Sequence, residues 1–187
     1  MILLRNICSI LLLPIFLFAC SGEEKKPLKA YENLSKEEQR QSDYAVQGID
    51  IAEGLQATLF ASEPMLLNPT NMDIDERGRI WVCEAFNYRN HLNPNNPKRK
   101  AGDRIIILED SNGDGQADKS TIFYQGPEIN SALGICVLED RVIVSVSPHV
   151  YVFRDTDGDD VADSKEIMFQ GIGGEQLDHG VHSFTIG

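Results

Sequence analysis

The sequence predicts an all-β fold of the β-propeller class, with about two four-stranded blades and the start of a third. Three observations lead there. Residues 105–126 (IIILEDSNGDGQADKSTIFYQG) and 150–171 (VYVFRDTDGDDVADSKEIMFQG) repeat one pattern: apolar strand, acidic loop, apolar strand ending in Gln-Gly. Asp110 and Asp155 open the two loops 45 residues apart, the length of one propeller blade. After residue 48, short β-type runs alternate with turn residues and no helical period intervenes.

Taken in order, the chain of 187 residues opens with Arg5, an apolar run from Ile7 to Phe18, and the small Ala19. Residues 1–19 therefore read as a secretory signal peptide, too short for a spanning helix. Leu17-Phe18-Ala19-Cys20 resembles a bacterial lipoprotein box, which makes Cys20 the lipidated mature N-terminus. The protein is then expected in the bacterial cell envelope, extracytoplasmic and held to the membrane by acyl chains without spanning it. Arg5 is the only charged residue removed with the signal, so the net charge moves from −12 to −13. Such acidity argues against nucleic acid and anionic lipid as partners of the body, and suits a domain that binds cations.

Of the four cysteines, Cys8 leaves with the signal and Cys20 carries lipid. Cys83 and Cys136 lie in apolar strand-like runs. Buried free thiols are the favoured reading, and a disulfide is the alternative that an oxidising compartment permits. With no C-x-x-C, the chain carries neither a c-type haem site nor a zinc knuckle.

Residues 20–48 are rich in Glu, Lys, Gln and Ser and form a polar tether. Ser35 and Glu38 match a capping box, which predicts a short helix over 36–44. Residues 49–187 form the propeller part. Leu55–Ala61 is expected as an opening strand, ended by Ser62-Glu63-Pro64. Met72–Ile74 and Arg79–Cys83 flank a hairpin turn at Asp75–Gly78, and Ile105–Leu108 and Thr121–Tyr124 flank the first acidic loop. The second blade repeats this with Ile135–Leu138, Val142–Val146, Val150–Phe153 and Ile167–Phe169. His182–Ile186 is expected to begin a third copy. Two blades and a fraction cannot close a ring, so the chain is expected to be a piece of a longer protein. The blades differ mainly between their second and third strands: Ala85–Asp103 in blade one, only Ser147–His149 in blade two.

Calcium takes six to eight hard oxygen ligands, and a tight loop supplies them at alternate positions with a bidentate Glu at position 12. Loop one offers Asp110, Asn112, Asp114, the Gln116 carbonyl and Asp118, with Thr121 at position 12. Loop two offers Asp155, Asp157, Asp159, the Val161 carbonyl, Asp163 and Glu166, with Asp160 where loop one has Gly115. A structural calcium ion in each loop is the expectation, set against solvated acidic hairpins whose Asp, Asn and Gly simply favour turns. Tyr88, Arg89 and His91 in the blade-one connection are candidate substrate contacts. His149 reads as a strand-edge residue. Gly171-Ile172-Gly173-Gly174 has no helix after it and is no nucleotide loop. Asp178-His179-Gly180-Val181-His182 pairs a carboxylate with an imidazole, the combination that tunes a general base, although loop histidines are more often structural.

GLQATLFASEP (54–64), NMDIDERGRIWVCE (71–84) and the two acidic blades together resemble the propeller of membrane-bound dehydrogenases of the glucose/sorbosone (quinoprotein) type. The resemblance covers residues 49–187. It implies an oxidoreductase acting on a sugar or polyol with pyrroloquinoline quinone, and it implies that His179 is the base that takes the hydroxyl proton. That assignment rests on His179 standing eight residues before Gly187, with an apolar strand between. Ser183 departs from the pattern, which has a basic residue there. The other quinone-binding residues are expected beyond residue 187, and a cytochrome is the expected electron acceptor. Two other functions stay open: a non-catalytic, calcium-stabilised propeller that binds glycan or protein, and a scaffold for a downstream cytochrome c module.

Overall fold

The computed structural model describes residues 29–88, 92, 94–172 and 180–185. Among the described residues, eight strands make two four-stranded antiparallel sheets. Sheet 1 contains β1 (Pro69–Ile74), β2 (Ile80–Glu84), β3 (Asp103–Glu109) and β4 (Lys119–Gly126). Sheet 2 contains β5 (Gly134–Leu138), β6 (Arg141–Val146), β7 (His149–Arg154) and β8 (Ser164–Gln170). Within each sheet the strands lie side by side in sequence order. The all-β reading holds, and among the described residues no helix is long and apolar enough to cross a membrane.

The 45-residue repeat recurs in the registers. Trp81 pairs with Ile107 and Cys83 with Ile105, while Ile143 pairs with Val152 and Ser145 with Val150. Since 107 and 152, and 105 and 150, are repeat mates, Trp81 corresponds to Ile143 and Cys83 to Ser145. Both outer pairs also slip at the same place. Tyr124 faces Ile105 and Ile122 faces Ile106, so Phe123 is the extra residue of a bulge. Met168 is the extra residue in sheet 2, between Ile167 and Phe169. A bulge turns its residue out of the ladder and frees its backbone for other partners.

Alternation along the strands gives each sheet two apolar faces. Trp81, Cys83, Ile105, Ile107 and Phe123 of sheet 1 pack on Ile135, Val142, Val144, Val146, Tyr151 and Phe153 of sheet 2. The ring centroids of Trp81 and Phe123 lie 4.8 Å apart, and those of Phe123 and Phe153 6.4 Å, both edge to face. Each fully buried ring contributes about 1.5–3 kcal/mol of apolar transfer. Val82, Ile106 and Leu108 form a second cluster on the opposite face of sheet 1, covered by Phe60, Ala61, Met65 and Leu66.

Three expectations need correction. The capping box forms, with Glu38 N–H donating to Ser35 Oγ at 3.2 Å and Ser35 N–H to Glu38 Oε2 at 2.9 Å. The helix over 36–44 does not follow it, because Gln41 is extended (ψ 144°) and separates two 3-10 turns, Glu38–Arg40 and Ser42–Tyr44. Residues 55–61 join no ladder of either sheet; they lie across sheet 1, where the Phe60 carbonyl accepts from Ala117 N–H at 2.8 Å. His182–Thr185 are likewise outside any strand, and Ile186 lies outside the described residues. Side chains hold that segment instead: Asn71 Nδ2 donates to the His182 carbonyl at 2.6 Å, and Ser145 Oγ donates to the Val181 carbonyl.

Candidate functional site

Strand direction sorts the candidate residues to two ends of the sheets. The hairpin turns at 75–79 and 139–141 and both acidic loops lie at one end. The 85–102 connection, Ser147-Pro148 and the starts of β1 and β5 lie at the other. Strands of six or seven residues keep the two ends about 20 Å apart.

At the acidic-loop end, backbone N–H groups hold the carboxylates in turn geometry. Asp110 accepts from Gly113 at 2.7 Å and Gly115 at 2.8 Å, Asn112 accepts from Asp114 at 2.9 Å, and Asp114 accepts from Gln116 at 2.9 Å. Asp118 closes the loop by accepting from Ser111 Oγ at 2.9 Å. Loop two repeats this, with Asp155 accepting from Gly158 at 2.7 Å and Asp163 taking both N–H and Oγ1 of Thr156 at 2.6 Å. Carboxylate oxygens of Asp155, Asp157 and Asp159 come within 4.8 Å of one another. The N–H of Asp159 lowers the pKa of Asp157, but the charge of Asp159, desolvation and the charges of Asp163 and Asp155 together outweigh it and the net shift is upward. Such a set of hard oxygens under mutual repulsion has the donor chemistry of a site for a hard cation. Val161 is bound through its N–H to Asp159 at 2.9 Å. Glu166 stands on β8 and pairs with Arg154 at 2.5 Å.

Between the sheets at this end lies a cleft of about 240 Å³, bordered by Asp75, Arg77, Arg79, Asp140, Arg141 and Asp160. Arg79, almost fully buried, donates to Asp75 at 2.8 Å in its own hairpin and to Asp160 at 2.8 Å across the interface. Trp81 Nε1 donates to Asp75 at 3.0 Å. Burial alone would raise Asp75, but Trp81 and Arg79 bring it below its ordinary value; for Asp160, burial is likewise outweighed by Arg79 and Arg77.

At the other end, a second buried network carries the 85–102 connection. Glu84, fully buried, takes Arg99 Nη1 at 2.7 Å, Arg104 Nη2 at 2.5 Å and Leu67 N–H at 2.8 Å. Burial pushes its pKa up, and the two guanidiniums more than reverse that. Asp103, also fully buried, accepts from Asn87 N–H and Ser131 N–H at 2.9 Å each, but burial outweighs those donors and its pKa is raised. Asn87 Nδ2 reaches Asn130 Oδ1 at 3.0 Å, and its Oδ1 accepts from Arg99 N–H. Tyr88, half-buried, follows this anchor. Arg89, His91, His179 and Cys20 lie outside the described residues. Gly180, which follows His179, sits against Leu133 and Ser147, at the end that bears the 85–102 connection. His149 starts β7, with its Nδ1 3.4 Å from the Tyr151 hydroxyl. Cys83 and Cys136 are free and buried, and burial pushes Cys83 up to about 12.

The two polar networks were not anticipated from the sequence. Their traces were present: an Asp at the loop-two position where loop one has Gly115, and a Glu closing the apolar run of β2.

No curated protein matches the chain. Among solved structures it is similar to the iodide structure of a Trichoderma reesei protein of Carbohydrate-Active Enzymes family AA12, with 15% identity and a TM-score of 0.48. That similarity covers 67% of this chain and 29% of the other, so the chain spans less than a third of that neighbour. A family described as "Domain of unknown function (DUF7133)" matches residues 41–187, and the chain belongs to it.

Proposed function

We propose that residues 49–187 are two blades of a β-propeller in a lipid-anchored, extracytoplasmic protein whose full-length form oxidises a sugar or polyol with a bound quinone. The ring reading rests on the way the sheets stack. The face of sheet 1 that meets sheet 2 (Trp81, Cys83, Ile105, Ile107) has as its repeat mates Ile143, Ser145, Val150 and Val152, on the far face of sheet 2. The receiving face of sheet 2 (Val144, Tyr151, Phe153) has as its mates Val82, Ile106 and Leu108, on the far face of sheet 1. The contact is therefore head to tail, although the mates on the far face of sheet 1 are already covered by Phe60, Ala61, Met65 and Leu66; contacts of this kind propagate and, with the right rotation, close into a ring.

The resemblance at residues 54–64 and 71–84 carries the oxidoreductase part. His179 is its base, holding the substrate hydroxyl proton, and the quinone supplies the hydride acceptor when bound. Tyr88, Arg89 and His91 are its substrate contacts, an assignment consistent with Tyr88 and Gly180 sharing one end of the sheets. Calcium in the loops, best in the Asp155–Asp157–Asp159 group, would stiffen hairpins without taking part in chemistry. A cytochrome would receive the electrons. The test is dye reduction by the full-length protein across a panel of sugars and polyols, with and without pyrroloquinoline quinone. Turnover that needs the quinone and disappears in His179→Ala is expected; no quinone binding and no turnover would end the reading.

A second reading is favoured by the buried anchors of the connection: a non-catalytic propeller that presents residues 88–98 to a glycan or protein. It expects binding that survives His179→Ala and is lost when residues 88–98 become a short Gly-Ser link, with Asn87 and Arg99 kept.

A further inference from the structure

We infer that the 85–102 connection docks an acidic polysaccharide, whose carboxylate or sulfate groups are bound by Lys98 and Lys100. Three observations carry this. First, the charges are sorted. After residue 48, every described Lys and Arg is paired with a carboxylate except Lys98 and Lys100, which stand exposed. In a chain of net charge −12, two neighbouring ammoniums without an internal partner are the exception, and they suit an anion from outside. Second, the lysines stand on a fixed backbone. Between them Arg99 is held at every polar group. Its N–H donates to Asn87 Oδ1 at 2.9 Å, and its carbonyl accepts from Asn87 Nδ2 at 2.9 Å and from Gly102 N–H at 3.1 Å. Its guanidinium reaches buried Glu84 at 2.7 Å and lies 4.7 Å from the centroid of the Phe86 ring. With Arg99 turned inward its two neighbours face solvent, and little backbone entropy remains to be lost on binding.

Third, the site is electrically separate from the acidic loops. The carboxylates beside it, Glu84 and Asp103, are fully buried, Glu84 is matched by Arg99 and Arg104, and Glu128 is taken by Lys165. The acidic loops lie at the other end of the sheets, about 20 Å away, more than twice the screening length of about 8 Å in physiological salt. The surrounding residues suit a sugar polymer better than a protein. Asn95 and Asn96 stand exposed between Pro94 and Pro97 and offer amides to hydroxyl groups. A protein interface centres on aromatic and other large apolar anchors, and Leu92 is the one exposed residue of that kind in the described part of the connection.

The inference rests on the second reading above, in which the connection binds a glycan, and its test separates the two. Binding of the full-length natural polypeptide is measured against polygalacturonate, dextran sulfate, neutral dextran and phosphatidylglycerol vesicles. Both acidic polymers should bind and neutral dextran should not, with affinity falling as salt is raised. Lys98→Glu with Lys100→Glu should weaken binding by about tenfold. Lys98→Gln with Lys100→Gln, which adds no repulsion, should give a smaller loss at an unchanged Tm. Lys119→Glu, at the acidic-loop end, should change nothing. Neutral dextran bound as well as the acidic polymers, with no effect of the lysine substitutions, overturns the acidic ligand and keeps the glycan reading. Acidic polymers bound equally by the wild type and both double variants overturn the lysine site. Vesicles bound in place of both acidic polymers, or no polymer bound at all, overturn the inference and the glycan reading together.

Discussion

Asp160 adopts φ 67°, a conformation that Gly takes without cost and Asp does with some. Its repeat mate is Gly115, at φ 87°. The carboxylate compensates for the backbone by reaching Arg79 and Arg77 of the neighbouring sheet, so an awkward residue in one loop ties two sheets together. Arg79→Ala leaves Asp75 buried without its cation, and should cost about 3 kcal/mol in urea unfolding. Asp160→Gly relieves the backbone but loses both pairs, for a net loss of about 1 kcal/mol; a neutral or stabilising result would mean the pairs hold nothing. The sign of the pH dependence follows from the same groups. Asp75, Glu84 and Asp160 are lowered in the folded state, so their contribution is present above the unfolded carboxylate pKa near 4 and is lost as pH falls through the lower folded values. Asp103, raised by burial, runs the other way: its contribution is full below the unfolded value and lost as pH rises through the folded one. Among these four network carboxylates, three against one predict a urea midpoint that drops below about pH 4; a flat midpoint between pH 7 and pH 3 would contradict it.

At the scale of elements, what was legible in the sequence is what alternation and spacing encode. All eight strands, both tight turns and the two acidic loops could be placed, because apolar runs and Asp-Gly turns are local signals. The helix at 36–44 was misread because a capping box announces a first turn and says nothing about the turn after it. Residues 55–61 were misplaced for the opposite reason: their pattern is that of a strand, but pairing depends on a partner distant in sequence. The polar networks were invisible because neither Asp75–Arg79–Asp160 nor Glu84–Arg99–Arg104 has a fixed spacing; folding brings them together. For the acidic loops, calcium at millimolar level should raise the Tm of residues 20–187 by several degrees, and Asp157→Asn should remove most of that rise. Magnesium demands a tighter octahedral geometry and should do less. Equal shifts with both ions would point to charge screening.

For the whole molecule, two sheets stacked head to tail leave Met72, Ile74, Ile167, Met168 and Phe169 exposed. Residues 49–187 alone should therefore unfold over a broad temperature range and with probe-dependent midpoints; a sharp two-state melt of a monomer would contradict the proposed propeller. The meander order of each sheet has a further consequence, for how the protein is made. Every ladder pairs neighbours in sequence, so each sheet can form as soon as its own stretch leaves the ribosome, without waiting for later synthesis. The cover over sheet 1, Phe60 to Leu66, is synthesised before the strands it covers. When Val82, Ile106 and Leu108 emerge, the residues that cover them in the folded chain have already been synthesised, so this apolar face can be covered as soon as its strands pair.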